Sequence, residues 1–515
     1  MTTTTYRDTM LAMTGGHAVP RADIPVPPLP AFQDAIVGAV AQDGCRVVTH
    51  FGLPDPTSDD LIFLYAVLAH DHSGRLHISA AVAPRSGYPS LTPRCPQMHL
   101  FERQIAENLA VPLLGHPWLK PVAFPMGVDR RAERSSTFIG ADDKVGIMDF
   151  YQIGGGQVHE VAVGPIHAGV IEPGHFRLQC DGETILHLEI SLGYQHRGVQ
   201  HALKGGPNKR SWHYAETLCG DSTIAHGCAY AQNVEALTSF RLSPRAAAIR
   251  GIALELERLA NHVGDLGGMA KDVAFLPTAS YCGRIRGDFL NMTALICGNR
   301  FGRGLVRVGG TGFDLDDQLR VDLLRRLADA QRDLQPAVEI LWNSPSVTAR
   351  FEHTGVLPRE TALGLGVVGV AARASGIDRD SRRDHPSGIY RFMHLPVVTA
   401  HGGDVLARAY VRGLEIQHSI AFVREQLQSL PSGETFTPTA ALRSGMFAVS
   451  LQESWRGELC HVALTDLDGR FEHYNITDPS VHNWFGLAMA MRGGQISDFP
   501  ICNKSFSLSY CGCDL

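Results

Sequence analysis

"IRGIALELERLANHVG", residues 249–264, decides the architecture of this chain. Ile252, Leu256, Leu259 and Val263 recur at steps of three and four, so they fall on one face of a helix. The same spacing returns in 315–335, where Leu319, Leu323, Leu327, Ala330 and Leu334 share a face and Pro336 is expected to interrupt the run. A third long helix is expected near 404–428, and the whole stretch from about 223 to 430 reads as mainly helical.

On both sides the period changes from helical to alternating. "HEVAVGPIHAG", "HFRLQCDG" and "ETILHLEISLG" precede the helices, and "GMFAVSLQES", "GELCHVALTD" and "GRFEHYNIT" follow them; all read as strands. Further upstream, "CRVVTHFG", "LIFLYAVLAHD" and "GRLHISAAVAP" read as antiparallel strands joined by short loops, with a helix over "FERQIAENLAV", 101–111. Residues 1–30 are rich in Thr, Pro and Ala and are expected to be loose. Between 128 and 157 the composition turns charged and then Gly-rich ("DRRAERSS", "GADDK", "QIGGGQ"), which marks a linker. The expected architecture is α+β: a small N-terminal sheet-and-helix domain over 31–127, then a large, mainly helical domain with flanking antiparallel sheets over 158–515.

Composition narrows the function. A 515-residue chain with 44% hydrophobic and 19% charged residues is a folded protein. A net charge of −6 argues against nucleic acid as a partner, because phosphate binding needs a basic face. No apolar run approaches bilayer-spanning length, and "MTTTTYRDTM" lacks the regions of a signal peptide, so a cytoplasmic location is expected. Eleven scattered cysteines do not form a secreted disulfide framework; most are expected to be small buried hydrophobes, with a metal or redox site as their main functional option.

Three stretches can carry chemistry. In "GPIHAGVIEPGHFRL", 164–178, a dense Gly/Pro loop presents His167, Glu172 and His175, and a carboxylate beside histidines can relay protons. In "YQHRGVQ", 194–200, a His-Arg-Gly turn can pin a loop or bind an anion. In "ETLCGDSTIAH", 216–226, Cys219 and His226 are metal-ligand types, and Cys511 and Cys513 stand at the far end in "SLSYCGCDL".

In this order the pieces resemble the large subunit of energy-converting [NiFe]-hydrogenases, in particular that of formate hydrogenlyase, itself similar to fused 30 kDa and 49 kDa subunits of respiratory complex I. "YPSLTPRCPQMHLFERQIAENLAVPLLGHP", 88–117, is similar to the 30 kDa signature. "GPIHAGVIEPGHFRL", "YQHRGVQ", "LELERLANHVGDLG", "GNRFGRGLVRVGG", "DRDSRRDHP", "SWRGELCHV" and "MRGGQISDFP" follow in the order of the large-subunit family.

The resemblance implies specific roles. The hydrogenase pattern holds nickel with two Cys-x-x-Cys pairs; at those four positions this chain has Cys219, Ser222, Ser509 and Gly512. Hydroxyls match neither the softness nor the charge of thiolates, so a nickel–iron centre is not expected and no metal ligand is assigned. Glu172 matches the proton-relay glutamate and Arg456 the arginine over the metal site. Of the complex I quinone pair, His167 matches the histidine, a second histidine position falls on Ile171, and the tyrosine position is Gly220. The expected site is a pocket lined by His167, Glu172, Cys219, Ser222, His226, Arg456 and Ser509, with quinone as one candidate occupant.

The implied assembly is a hetero-oligomeric, complex I-like oxidoreductase on the inner face of the cell membrane. A small subunit similar to the complex I 20 kDa subunit would carry a [4Fe–4S] cluster, and antiporter-like subunits would form the membrane arm. Three functional readings stand at this stage: a redox subunit that passes electrons and takes up protons through Glu172, a non-redox structural or coupling subunit of the same complex, and an active hydrogenase or quinone reductase.

Overall fold

A computed structural model describes residues 9–124 and 145–515. Residues 125–144, which take in most of the expected linker over 128–157, lie outside the described residues. The N-terminal region is an antiparallel sheet in the order Leu11–Met13, Arg75–Pro84, Ser58–His70, Arg46–Asp55, with the helices Leu29–Gln42 and His99–Leu109 packed on it. Asp55 shapes the first turn by accepting from the backbone N–H of Thr57 at 2.7 Å. Three more strands, Val158–Val163, His175–Asp181 and Thr184–Ser191, form a second antiparallel sheet.

The helical core is built from Thr223–Leu237, Pro244–Asp272, Leu276–Cys297, Asp317–Trp342 and Val405–Gln428. Pro244–Asp272 starts where Ser243 Oγ accepts from the Ala246 N–H at 3.1 Å, with Pro244 at its first position. Ile252, Leu256, Leu259 and Val263 are buried, as their spacing requires. Burial extends well beyond that face, because Glu255 and Arg258 also lie inside and are matched by charge: Glu255 takes Arg258 at 3.1 Å, Arg382 at 3.1 Å, Tyr390 Oη at 2.6 Å and Ser419 Oγ at 2.6 Å. Pro336 does not end its helix, which runs on to Trp342. The proline costs one backbone hydrogen bond, while Leu334, Ala337 and Leu341 on either side of it are buried and hold the helix in place.

The C-terminal strands Met446–Ser454, Gly457–Thr465 and Phe471–Thr477 form the third large sheet, and its fourth strand is His17–Pro20. Residues 9–30, expected to be loose, therefore hold two strands; Val19 pairs with Phe447 and His17 with Val449. Strand periodicity explains how the middle of this sheet is buried on both faces. Phe447, Val449 and Leu451 pack with Val48, Tyr65 and Val67 of the N-terminal sheet. Ala448 and Ser450 face the other way, and Ser450 Oγ donates to Ala229 O in Thr223–Leu237 at 2.9 Å. Buried Arg46 ties the two sheets together: it pairs with Glu458 at 2.5 and 2.6 Å and with Asp71 at 3.0 Å.

Candidate functional site

Four connecting segments meet at one place: the loop 164–174, the turn Leu218–Ser222 before Thr223–Leu237, the hairpin turn at Trp455–Arg456, and the chain end after Ser507. Arg197 of the His-Arg-Gly turn fixes the second of these by donating to Thr217 O and Leu218 O, each at 2.7 Å. Of its two sequence-level readings, loop pinning is the one its contacts serve. Gly164 has φ +95°, and a side chain there would run into the carbonyl of Gly174, so only glycine lets the two ends of the first loop touch.

Cys219 is at the centre and buried. Its thiol donates to Asp221 Oδ1 at 2.9 Å and lies 3.1 Å from Ser509 Oγ. Arg456 Nη1 reaches the same sulfur at 3.3 Å and Ser222 Oγ at 3.4 Å, while its two terminal nitrogens grip Asp221 at 2.6 and 2.8 Å. Arg456 Nε donates to Ser507 O at 2.6 Å, and its guanidinium stacks 4.0 Å from the Trp455 ring. Burial works against the charge on Arg456, but Asp221 and Cys219 outweigh it and hold its pKa well above the ordinary value. The hydrogen bond with Cys511, then burial, then the nearby Asp221 charge push the Cys219 thiol well up.

Ser509 is wholly buried; it takes the Gly512 N–H at 2.9 Å and touches Cys511 Sγ at 3.5 Å. Gly512 packs so close to Asp478 that a side chain there would meet the carboxylate at 2.7 Å. Glu172 is half-buried at the rim, where Oε2 accepts from the Cys511 N–H at 3.1 Å and from Gln195 Nε2 at 3.0 Å.

The structure thus brings Glu172, Cys219, Ser222, Arg456 and Ser509 into one connected group. His226 sits one layer deeper, fully buried, with Nδ1 3.0 Å from His461 and Nε2 3.3 Å from Asp478. His167 does not join the group: it is exposed on its loop, and Nδ1 accepts from the Gly169 N–H at 3.0 Å. Asp221 and Asp478 escaped the sequence reading. Asp221 lay inside the quoted "ETLCGDSTIAH" stretch, and the arginine it pairs with is distant in sequence. Among the described residues, no group of three or more His, Cys, Asp or Glu side chains converges as a metal site.

Helices on sheets, with a polar cluster where a helix start meets the chain end, define an α+β class. Residues 272–446 match the family described as respiratory-chain NADH dehydrogenase, 49 Kd subunit. The chain is 32% identical over 253 residues to an NADH-quinone oxidoreductase subunit of Clostridium beijerinckii, covering 49% of this chain and 68% of that protein. It is 29% identical over 466 residues to formate hydrogenlyase subunit 5 of Escherichia coli (87% of this chain, 81% of that one) and 28% over 364 residues to membrane-bound hydrogenase subunit alpha of Pyrococcus furiosus (67% and 85%). The chain belongs to the family of the complex I 49 kDa subunit, which has these hydrogenase subunits among its relatives.

Proposed function

We propose that this chain is the large subunit of a membrane-associated, complex I-like oxidoreductase whose pocket has exchanged a nickel–iron centre for a hydrogen-bonded protein cluster. The observation that carries this reading is the set of donors around Cys219. Its neighbours are the Ser509 hydroxyl and a carboxylate already gripped by Arg456, with the Ser222 hydroxyl on the same arginine and the Cys511 thiol on Ser509. Two thiols, Cys219 and Cys511, with two neutral hydroxyls and a neutralised carboxylate fall short of the four thiolates that the nickel–iron pattern uses. A quinone headgroup site of the complex I kind is likewise incomplete: His167 is exposed and bonded within its own loop, and Gly220 has no side chain to offer.

In this reading an electron arrives from a [4Fe–4S] cluster of a partner small subunit. The pocket meets the added charge with a proton through Glu172, because an uncompensated charge in a buried site is costly. Glu172 lies where such a relay belongs, at the rim and bonded to Cys511 and Gln195. The formate hydrogenlyase match spans 87% of this chain against 49% for the Clostridium beijerinckii relative, which supports a 30 kDa-like unit fused ahead of the large domain. No described helix is long and apolar enough to cross a membrane. The membrane-bound hydrogenase subunit among the relatives supports peripheral attachment, which in this reading is to antiporter-like subunits on the inner membrane face. In the purified complex, Glu172→Gln is expected to slow electron transfer to a soluble quinone at least tenfold with assembly intact; unchanged turnover contradicts the relay.

A further inference from the structure

The cluster contains one pair of groups that the proposed function does not use. Ser509 Oγ touches the sulfurs of both Cys219 and Cys511, at 3.1 and 3.5 Å. They come from segments before and after the helical core in the chain, so their meeting is a product of the fold. Their surroundings differ. Cys511 is the only one of the eleven cysteines that is not fully buried. Cys219 lies behind it with its proton directed at Asp221 Oδ1, 2.9 Å away.

We propose that Cys219 and Cys511 form a redox-active dithiol that closes to a disulfide by exchange with a low-molecular-weight disulfide. Cys511 is the attacking sulfur, since it is the accessible one of the two. Its thiolate attacks one sulfur of RSSR, forms a mixed disulfide and releases the first RS⁻, which takes the proton Cys511 had lost. Cys219 then attacks Cys511 Sγ and gives up its proton as it does so. The second RS⁻ leaves and takes up that proton. Two thiols and RSSR become one protein disulfide and two RSH, so two electrons and two protons leave the pocket together. Arg456 serves the step by holding Asp221 in place and by donating to the Cys219 sulfur as negative charge develops there. The dithiol needs neither a partner subunit nor a cofactor, so its test stands apart from the proposed function.

The test uses the full chain and oxidised glutathione, followed by alkylation of free thiols and peptide mapping. The expected result is a peptide pair joined through Cys219 and Cys511, reversed by dithiothreitol, with the other nine cysteines alkylated only after unfolding. Cys219→Ser is expected to trap glutathione on Cys511, and Cys511→Ser to abolish all reaction. A wild-type chain that keeps glutathione on Cys511 with Cys219 free overturns the proposal. So does a Cys511–Cys513 disulfide, or no reaction at either thiol. The wild-type mapping decides the matter even if a variant folds poorly.

Discussion

Arg456 closes both terminal nitrogens on Asp221, at 2.6 and 2.8 Å, from a hairpin turn 235 positions along the chain from that aspartate. This pair occupies the centre of the pocket and commits the charges nearest Cys219. Arg456→Ala leaves Asp221 without a counter-charge and Ser507 O without its donor. The Asp221 side chain keeps 32% exposure, so the expected loss is about 3 kcal/mol, the low end for breaking a buried pair. Arg456→Lys is expected to fall in between, because an ammonium cannot grip both oxygens side by side. Urea unfolding of the three proteins measures this.

Arg46 makes a second long-range prediction. It joins the N-terminal sheet to Glu458 in the C-terminal sheet, and both side chains are almost wholly buried. Arg46→Ala strands Glu458 and weakens the hold on Asp71, for an expected cost of about 3–5 kcal/mol. Hydrogen exchange is expected to quicken in Arg46–Asp55 and Gly457–Thr465 before it does in Pro244–Asp272.

Asp514 makes stability depend on pH. Its carboxylate accepts the N–H of Gly193 at 2.8 Å and of Gln195 at 3.1 Å, yet burial, reinforced by Glu172, pushes its pKa up to about 7. In the unfolded chain the group loses its proton near its ordinary value of 3.8. Between about pH 4 and 7 the folded state holds the extra proton, so the stability Asp514 contributes falls as pH rises through that window and levels off above it. Asp514→Asn is expected to remove this component of the slope. Denaturant midpoints of both proteins from pH 4 to 8 check it.

Much of this was legible in the sequence, for reasons that particular residues make plain. Leu256 and Leu259 announced a buried helix because burial follows a local period, and Val449 and Val462 announced strands in the same way. Pro336 misled because tertiary packing outweighed the lost hydrogen bond. The strand His17–Pro20 was invisible because its partner, Met446–Ser454, lies more than 400 positions away. A similar distance hid the ion pair of Arg46 with Glu458. In the site, Cys219, Ser222 and Ser509 came from resemblance to a ligand pattern and do meet, whereas Asp221 had no marker of its own and His167 proved exposed. Local period shows in one stretch of sequence; charge pairing across the fold does not.

At the heart of the proposed function, protein hydrogen bonds around Cys219 stand in place of a nickel–iron centre. Elemental analysis of the assembled complex, purified after growth with added nickel, tests it most directly. The account predicts nickel at background, with iron present from the partner cluster. Stoichiometric nickel that disappears in Cys219→Ser would contradict it.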